Sequence, residues 1–156
     1  MSNNTNFIDI YILLSFQEIQ RRQGIFTKII NGHIPSYKVA EDDRYYAFLD
    51  INPLQKGHTL VVPKLREPEA DYIFDLEDNL LGDMMIFAKK VAKGIKATTD
   101  CKRIGVAVIG LEVPHVHIHL IPINKESDMS FANPKLTLSS NEMAEIANSI
   151  AKAIEK

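Results

Sequence analysis

PHVHIHLIP, residues 114–122, holds three of the chain's five histidines at every second position. His115, His117 and His119 alternate with Val116, Ile118 and Leu120. In an extended chain, successive side chains point to opposite faces. The spacing therefore predicts a strand, taken here from Val113 to Ile123, with three imidazoles on one face and three apolar side chains turned into a core. Side chains two apart on a strand lie about 7 Å from one another, so the imidazoles form a row and not a cluster. Three chemistries fit such a row. The residues are polar groups on a wet sheet face, or ligands of a metal ion completed by His58, His33 or an acid, or nucleophile and acid–base groups acting on phosphate. No cysteine pair and no His-Glu-x-x-His pattern accompanies them to favour zinc.

Upstream, short apolar runs separated by turn residues predict further strands. These are Tyr37–Ala40, Tyr45–Leu49, His58–Val62 and Arg103–Ile109. Phe26, Ile29 and Ile30 suggest a short N-terminal helix. Leu76, Leu80, Met84, Phe87, Val91 and Ile95 recur at helical spacing and predict a long central helix over about 75–98. Ser139 followed by Glu142 has the form of a capping box and opens a C-terminal helix from about 140. Residues 125–135 read as a polar loop. Five strands joined mostly by short links imply an α+β fold, an antiparallel sheet with helices packed on it. Residues 25–156 form one domain in this reading. Residues 1–24 are an N-terminal extension of uncertain structure, with an apolar element over 8–20 read as a helix.

The chain has 156 residues, 46% of them hydrophobic and 24% charged, enough for one domain with a true core. A net charge of -2 supplies no general attraction for nucleic acid or membrane. No apolar run is long enough to span a bilayer. IDIYILL, residues 8–14, is interrupted by Asp9 and lacks a preceding basic residue, which argues against a secretory signal. With one cysteine, Cys101, there is no internal disulfide, and a cytoplasmic setting is expected.

FLDINPLQKGHTLVVPK, residues 48–64, offers a second half to a site. Asp50 closes one strand, where a carboxylate caps a turn or accepts hydrogen bonds from a ribose diol. Gly57 precedes His58 and would let the backbone pass close to its neighbours. His58 reads as a buried histidine able to hold another imidazole in one tautomer.

Together, residues 25–64, the long helix and HVHIHLIP resemble the histidine triad family of nucleotidyl hydrolases and transferases over roughly 25–125. The resemblance implies a five-stranded antiparallel sheet with a long central helix, and a homodimer. It implies that His117 attacks the α-phosphorus of a purine nucleotide conjugate, adenine preferred, and that a nucleotidyl-histidine forms. It implies that His115 and His119 contact the phosphate and leaving group, that His58 is the buried fourth histidine, that Asp50 holds the ribose, and that Phe26, Phe48 and Ile51 enclose the base. No cofactor and no metal are implied. The chain departs from the family pattern before the triad. GVAVIGLEVPH, residues 105–115, shortens an Asn-bearing turn, and Leu111 stands where relatives carry a glutamine hydrogen-bond donor. After the triad, Ile123 stands where an arginine is common. Glu112 is expected to favour an amine leaving group, hence a nucleoside phosphoramidate. The alternatives are a dinucleoside polyphosphate hydrolase, a nucleotide-binding protein with little turnover, and a zinc-dependent hydrolase.

Overall fold

The computed structural model describes residues 24–65 and 70–155. The helix expected over 8–20 lies outside these residues. The described elements run α1 (Ile25–Ile30), β1 (Lys38–Glu41), β2 (Tyr45–Leu49), β3 (Thr59–Pro63), α2 (Asp78–Thr98), β4 (Arg103–Ala107), β5 (Ile118–Ile123) and α3 (Ser140–Ile154). One-turn 3-10 helices at Ile73–Asp75 and Glu126–Met129 complete them. The strands form one antiparallel sheet in the order β1-β2-β3-β5-β4. The expected α+β class and its helices are therefore present. The link through α2 carries the chain from β3 to the sheet edge at β4, and β5 returns between them.

Period-two alternation sorts the sheet's side chains into two layers. Val39, Ala47, Leu49, Val61, Ile118 and Leu120 face α2 and α3 and join Met84, Phe87, Val91, Ile95, Met143, Ala147 and Ile150 in the main core. Tyr46, Phe48, Leu60 and Val62 face the other way and pack with Phe26 and Ile29 of α1. Both faces of β2 and β3 are thus covered, so every residue of these strands is buried. The C-terminal helix begins as its capping box predicts: Ser139 Oγ accepts the Glu142 N–H at 3.1 Å, and the Glu142 carboxylate accepts the Ser139 N–H at 3.3 Å.

The strand carrying the histidines is shorter than its sequence pattern. It starts at Ile118 and not Val113, so His115 and His117 precede it. The ladder with β3 pairs Val61 with Ile118 and stops there. Continuing it would bring Val116 opposite Pro63, which has no N–H to donate. The segment finds other partners: the Val116 N–H donates to the Ala70 carbonyl, and the His115 ring Nε2 bonds to the Pro63 carbonyl at 3.1 Å. β4 likewise ends at Ala107 and not Ile109, and β1 and β3 each begin one residue later than expected. The helix expected from Asp75 starts at Asp78, and Asp75 instead ends the 3-10 turn before it.

Candidate active site

The link between β2 and β3 returns in a tight turn that ends at Gly57, whose φ of 95° is in the left-handed region. A β-carbon there would also press on Thr99 Cγ2 at 3.2 Å, so a larger residue is strained twice over. The turn sets His58 under the sheet, 2% exposed. Its Nδ1 accepts the Leu54 N–H at 3.0 Å. A backbone N–H can only donate, so the His58 proton resides on Nε2. That nitrogen lies 2.9 Å from Nδ1 of His119. His119 therefore accepts at Nδ1 and carries its own proton on Nε2. The order Leu54 N–H, His58, His119 fixes two tautomers in sequence.

His117 is fixed independently. Its Nδ1 lies 2.7 Å from the His115 carbonyl, which can only accept. The proton sits on Nδ1, and Nε2 carries the lone pair. The ring packs edge-on against Phe26 at 5.0 Å and lies 4.8 Å from the His119 ring. Burial lowers the pKa of all four rings below the usual 6.5. His58 falls to about 3, through desolvation first and then the neighbouring His119, Lys135 and His117 charges. His119 falls to about 4, again through desolvation first, then His117 and Lys135. His115 and His117 fall for the same first reason, opposed by their bonds to backbone carbonyls. At neutral pH the imidazoles are uncharged, and His117 has a lone pair to give.

Asp50 hangs over this group. Its Oδ1 accepts the Asn52 N–H at 2.8 Å, and its Oδ2 lies 3.7 Å from His58 Nε2. With His58 neutral, that approach is a dipole contact and not an ion pair. Desolvation raises the Asp50 pKa, opposed by the Asn52 N–H and the His117 and Lys135 charges.

A cavity of 530 Å³ opens over these residues. Phe26, Phe48 and Leu60 form an apolar end, with the two rings edge-to-face at 5.6 Å, and Ile51 stands at its rim. Asp50, His58, His117 and His119 line it as well, and the exposed Leu111 and Glu112 stand at its mouth. Of the residues that the family resemblance assigns to the site, His115 alone is not on the cavity wall. It is fully buried, 5.7 Å from Phe26, and serves the site through the carbonyl that holds His117. Leu111 is 89% exposed, and its side chain brings no polar atom to the mouth. His33 is exposed in the link after α1 and is not brought to the group.

Two further residues line the cavity that the sequence reading left in a polar loop. The Phe131 ring stands edge-on to His119 at 4.9 Å, and Lys135 Nζ donates to the Phe131 carbonyl at 2.6 Å. Nothing in FANPK, residues 131–135, marks a site by motif. A second cavity, of 640 Å³, lies around Lys56, Thr99 and Cys101 and contains no histidine.

One nitrogen each from His58 and His119 and an oxygen from Asp50 lie within 4.8 Å of one another, close enough to share a metal ion. The two nitrogens already share the His58 proton, which an ion would have to displace. His117, whose lone pair is on Nε2, is not in that set.

Residues 31–126 match the HIT domain family. Adenosine 5'-monophosphoramidase HNT1 of Saccharomyces cerevisiae is 42% identical over 103 residues, covering 65% of this chain and 63% of that protein. Adenosine 5'-monophosphoramidase hnt1 of Schizosaccharomyces pombe is 35% identical over 133 residues, covering 84% of this chain and 98% of that protein. Among solved structures, a HIT-like protein of Bartonella henselae superposes with a TM-score of 0.70 at 31% identity, over 83% of this chain and 95% of its own.

Proposed function

The chain belongs to the histidine triad (HIT) family, and from that premise we propose that it hydrolyses adenosine 5'-phosphoramidates or related AMP conjugates by way of a nucleotidyl-His117 intermediate. The observation that carries this reading is the bond from His117 Nδ1 to the His115 carbonyl at 2.7 Å, which commits the lone pair to Nε2. The names of the yeast relatives support the substrate class. In the proposed complex the adenine lies against Phe26, Phe48 and Ile51, and the Asp50 carboxylate accepts from the ribose hydroxyls.

His117 Nε2 attacks the α-phosphorus, and the phosphorus–nitrogen bond breaks. The departing amine takes a proton from Nε2 of a His119 imidazolium, formed as the phosphate binds by a proton from solvent at Nδ1, which ends the hydrogen bond that this nitrogen accepts from His58. In the second half, neutral His119 takes a proton from water as the water oxygen attacks phosphorus. The bond to His117 breaks and that ring is neutral again; His119 returns its extra proton to solvent as AMP leaves. Glu112 at the mouth disfavours an anionic polyphosphate leaving group and suits an amine. The test is turnover of an adenosine phosphoramidate against a diadenosine polyphosphate. A clear preference for the phosphoramidate is expected, and preference for the polyphosphate rejects the leaving-group assignment. Binding of AMP with no turnover of either compound would favour the nucleotide-binding alternative.

The same proposal includes a homodimer. β4 is a sheet edge paired only with β5 among the described residues, and it exposes Val106, while α2 exposes Met85 and Ile86. Self-association would cover both. Sedimentation as a dimer at micromolar concentration is expected, and a monomer there would count against it. The proposed setting is the cytoplasm. No helix among the described residues is long and apolar enough to cross a membrane.

A further inference from the structure

The charges around the cavity do not match the ligand proposed for it. Asp50 and Glu112 are acids, the imidazoles are held neutral by burial, and among the described lining residues Lys135 alone brings a permanent positive charge. A phosphate ester adds at least one more negative charge, and attack on phosphorus concentrates it on the nonbridging oxygens. The proton that makes His119 an imidazolium in the complex leaves with the amine, and neutral imidazoles can donate hydrogen bonds to those oxygens but cannot balance their charge.

The fold places Lys135 where that charge is needed. The backbone N–H of its neighbour Leu136 donates to the Pro53 carbonyl at 2.8 Å, which ties the segment to the link that carries Asp50 and His58. The Lys135 ammonium lies 5.6 Å from the centroid of the Phe131 ring, and that ring abuts His119. Its positive charge is felt at Asp50, His58 and His119, three groups that line the cavity. The ammonium is tied to a neutral carbonyl by one bond, on an exposed and flexible stem. An anion at His119 offers it a stronger, charge-assisted partner within the swing of that stem. Both Phe131 and Lys135 lie beyond the stretch that matches the HIT domain, which ends at residue 126.

We propose that Lys135 is the phosphate-binding cation of this site, leaving the Phe131 carbonyl when a nucleotide enters and meeting the nonbridging oxygens of the α-phosphate beside His119. The inference rests on the nucleotide reading above and deepens it, because it assigns the charge recognition to a loop outside the matched domain.

The test compares AMP with adenosine by titration calorimetry on the wild type, Lys135→Met and Lys135→Arg. The Met variant keeps the length and apolarity of the stem and removes the charge. The Met change is expected to weaken AMP binding by about tenfold to a hundredfold, the range for a lost hydrogen bond to a charged group. Adenosine binding should be unchanged, Arg should restore most of the AMP affinity, and added salt should weaken AMP binding to wild type but not adenosine binding. AMP affinity of the Met variant within about twofold of wild type would overturn the assignment and leave the nucleotide reading standing. Equal losses for AMP and adenosine would overturn it too, since a lysine that only props the loop would produce them. A wild-type protein that binds neither compound would overturn the nucleotide reading and this assignment with it.

Discussion

Burial raises the pKa of Asp50 because the folded chain disfavours its carboxylate charge. Its pKa is higher folded than unfolded, so ionising it subtracts stability at pH values above the folded pKa, and the penalty is relieved as pH falls. The ionised form is nevertheless the one that accepts ribose hydroxyls in the proposed complex. Asp50→Asn keeps an oxygen for the Asn52 N–H, which now bonds to Oδ1 at 2.8 Å, and removes the charge. It is expected to raise the melting temperature at pH 7 while weakening adenosine binding by about tenfold, the cost of losing a charged acceptor. Thermal melting and ligand titration on the same preparation check both halves, and a variant that loses stability would contradict the account of this residue. Asp50, His58, His117 and His119 were legible in the sequence because each sits in a motif. Lys135 was not, because a lysine in a polar loop looks like solvated charge until the Leu136–Pro53 bond brings its loop to Asp50.

At the scale of elements, the packing of α2 on α3 depends on a missing side chain. A β-carbon on Gly94 would meet Ile154 Cγ1 at 2.5 Å and the Ile150 carbonyl oxygen at 3.2 Å. Alanine is the better helix former by about 1 kcal/mol, so Gly94→Ala would stabilise an isolated α2. In the protein the backbone oxygen cannot yield without moving α3. The variant is therefore expected to be destabilised, by about 1–3 kcal/mol, the usual cost of overpacking. Urea unfolding measures it, and a stabilised variant would show that α3 shifts freely. Periodicity located α2, the Ser139–Glu142 capping box opened α3, and apolar runs bounded by turn residues or alternating with polar ones located the five strands. Alternation misplaced the start of β5, because spacing does not report a ladder. His115 lies in a bend, its N–H donating to the Val113 carbonyl at 2.8 Å, and the would-be partner, Pro63, has no N–H to pair with.

For the whole molecule, the buried imidazoles set the response to acid. His58 and His119 ionise at about 3 and about 4 in the folded chain, against 6.5 unfolded. Between those values the unfolded chain binds more protons, so stability rises with pH. Their contribution is complete above pH 6.5 and is lost as pH falls through that window. Asp50 acts in the opposite sense and offsets part of the loss. Tm is expected to be flat from pH 7 to 8 as far as these groups decide it, and to fall by roughly 5 °C or more between pH 6.5 and 4. Calorimetric scans across that range test it, and a Tm independent of pH below 6.5 would mean that the rings are already charged in the fold. Activity carries its own limit, because protonation of His117 removes the attacking lone pair. Its pKa is lowered by burial, so the acid limb of the rate profile belongs below the ordinary histidine value.

The central claim concerns one nitrogen, Nε2 of His117, and a covalent bond to phosphorus. Rapid acid quenching of the protein with an adenosine phosphoramidate, followed by intact-protein mass spectrometry, looks for that bond directly. The account predicts a transient mass increment of one adenylyl group on the wild type and none on His117→Ala. An increment that survives the substitution, or substrate turnover by the substituted protein at the wild-type rate, would contradict it.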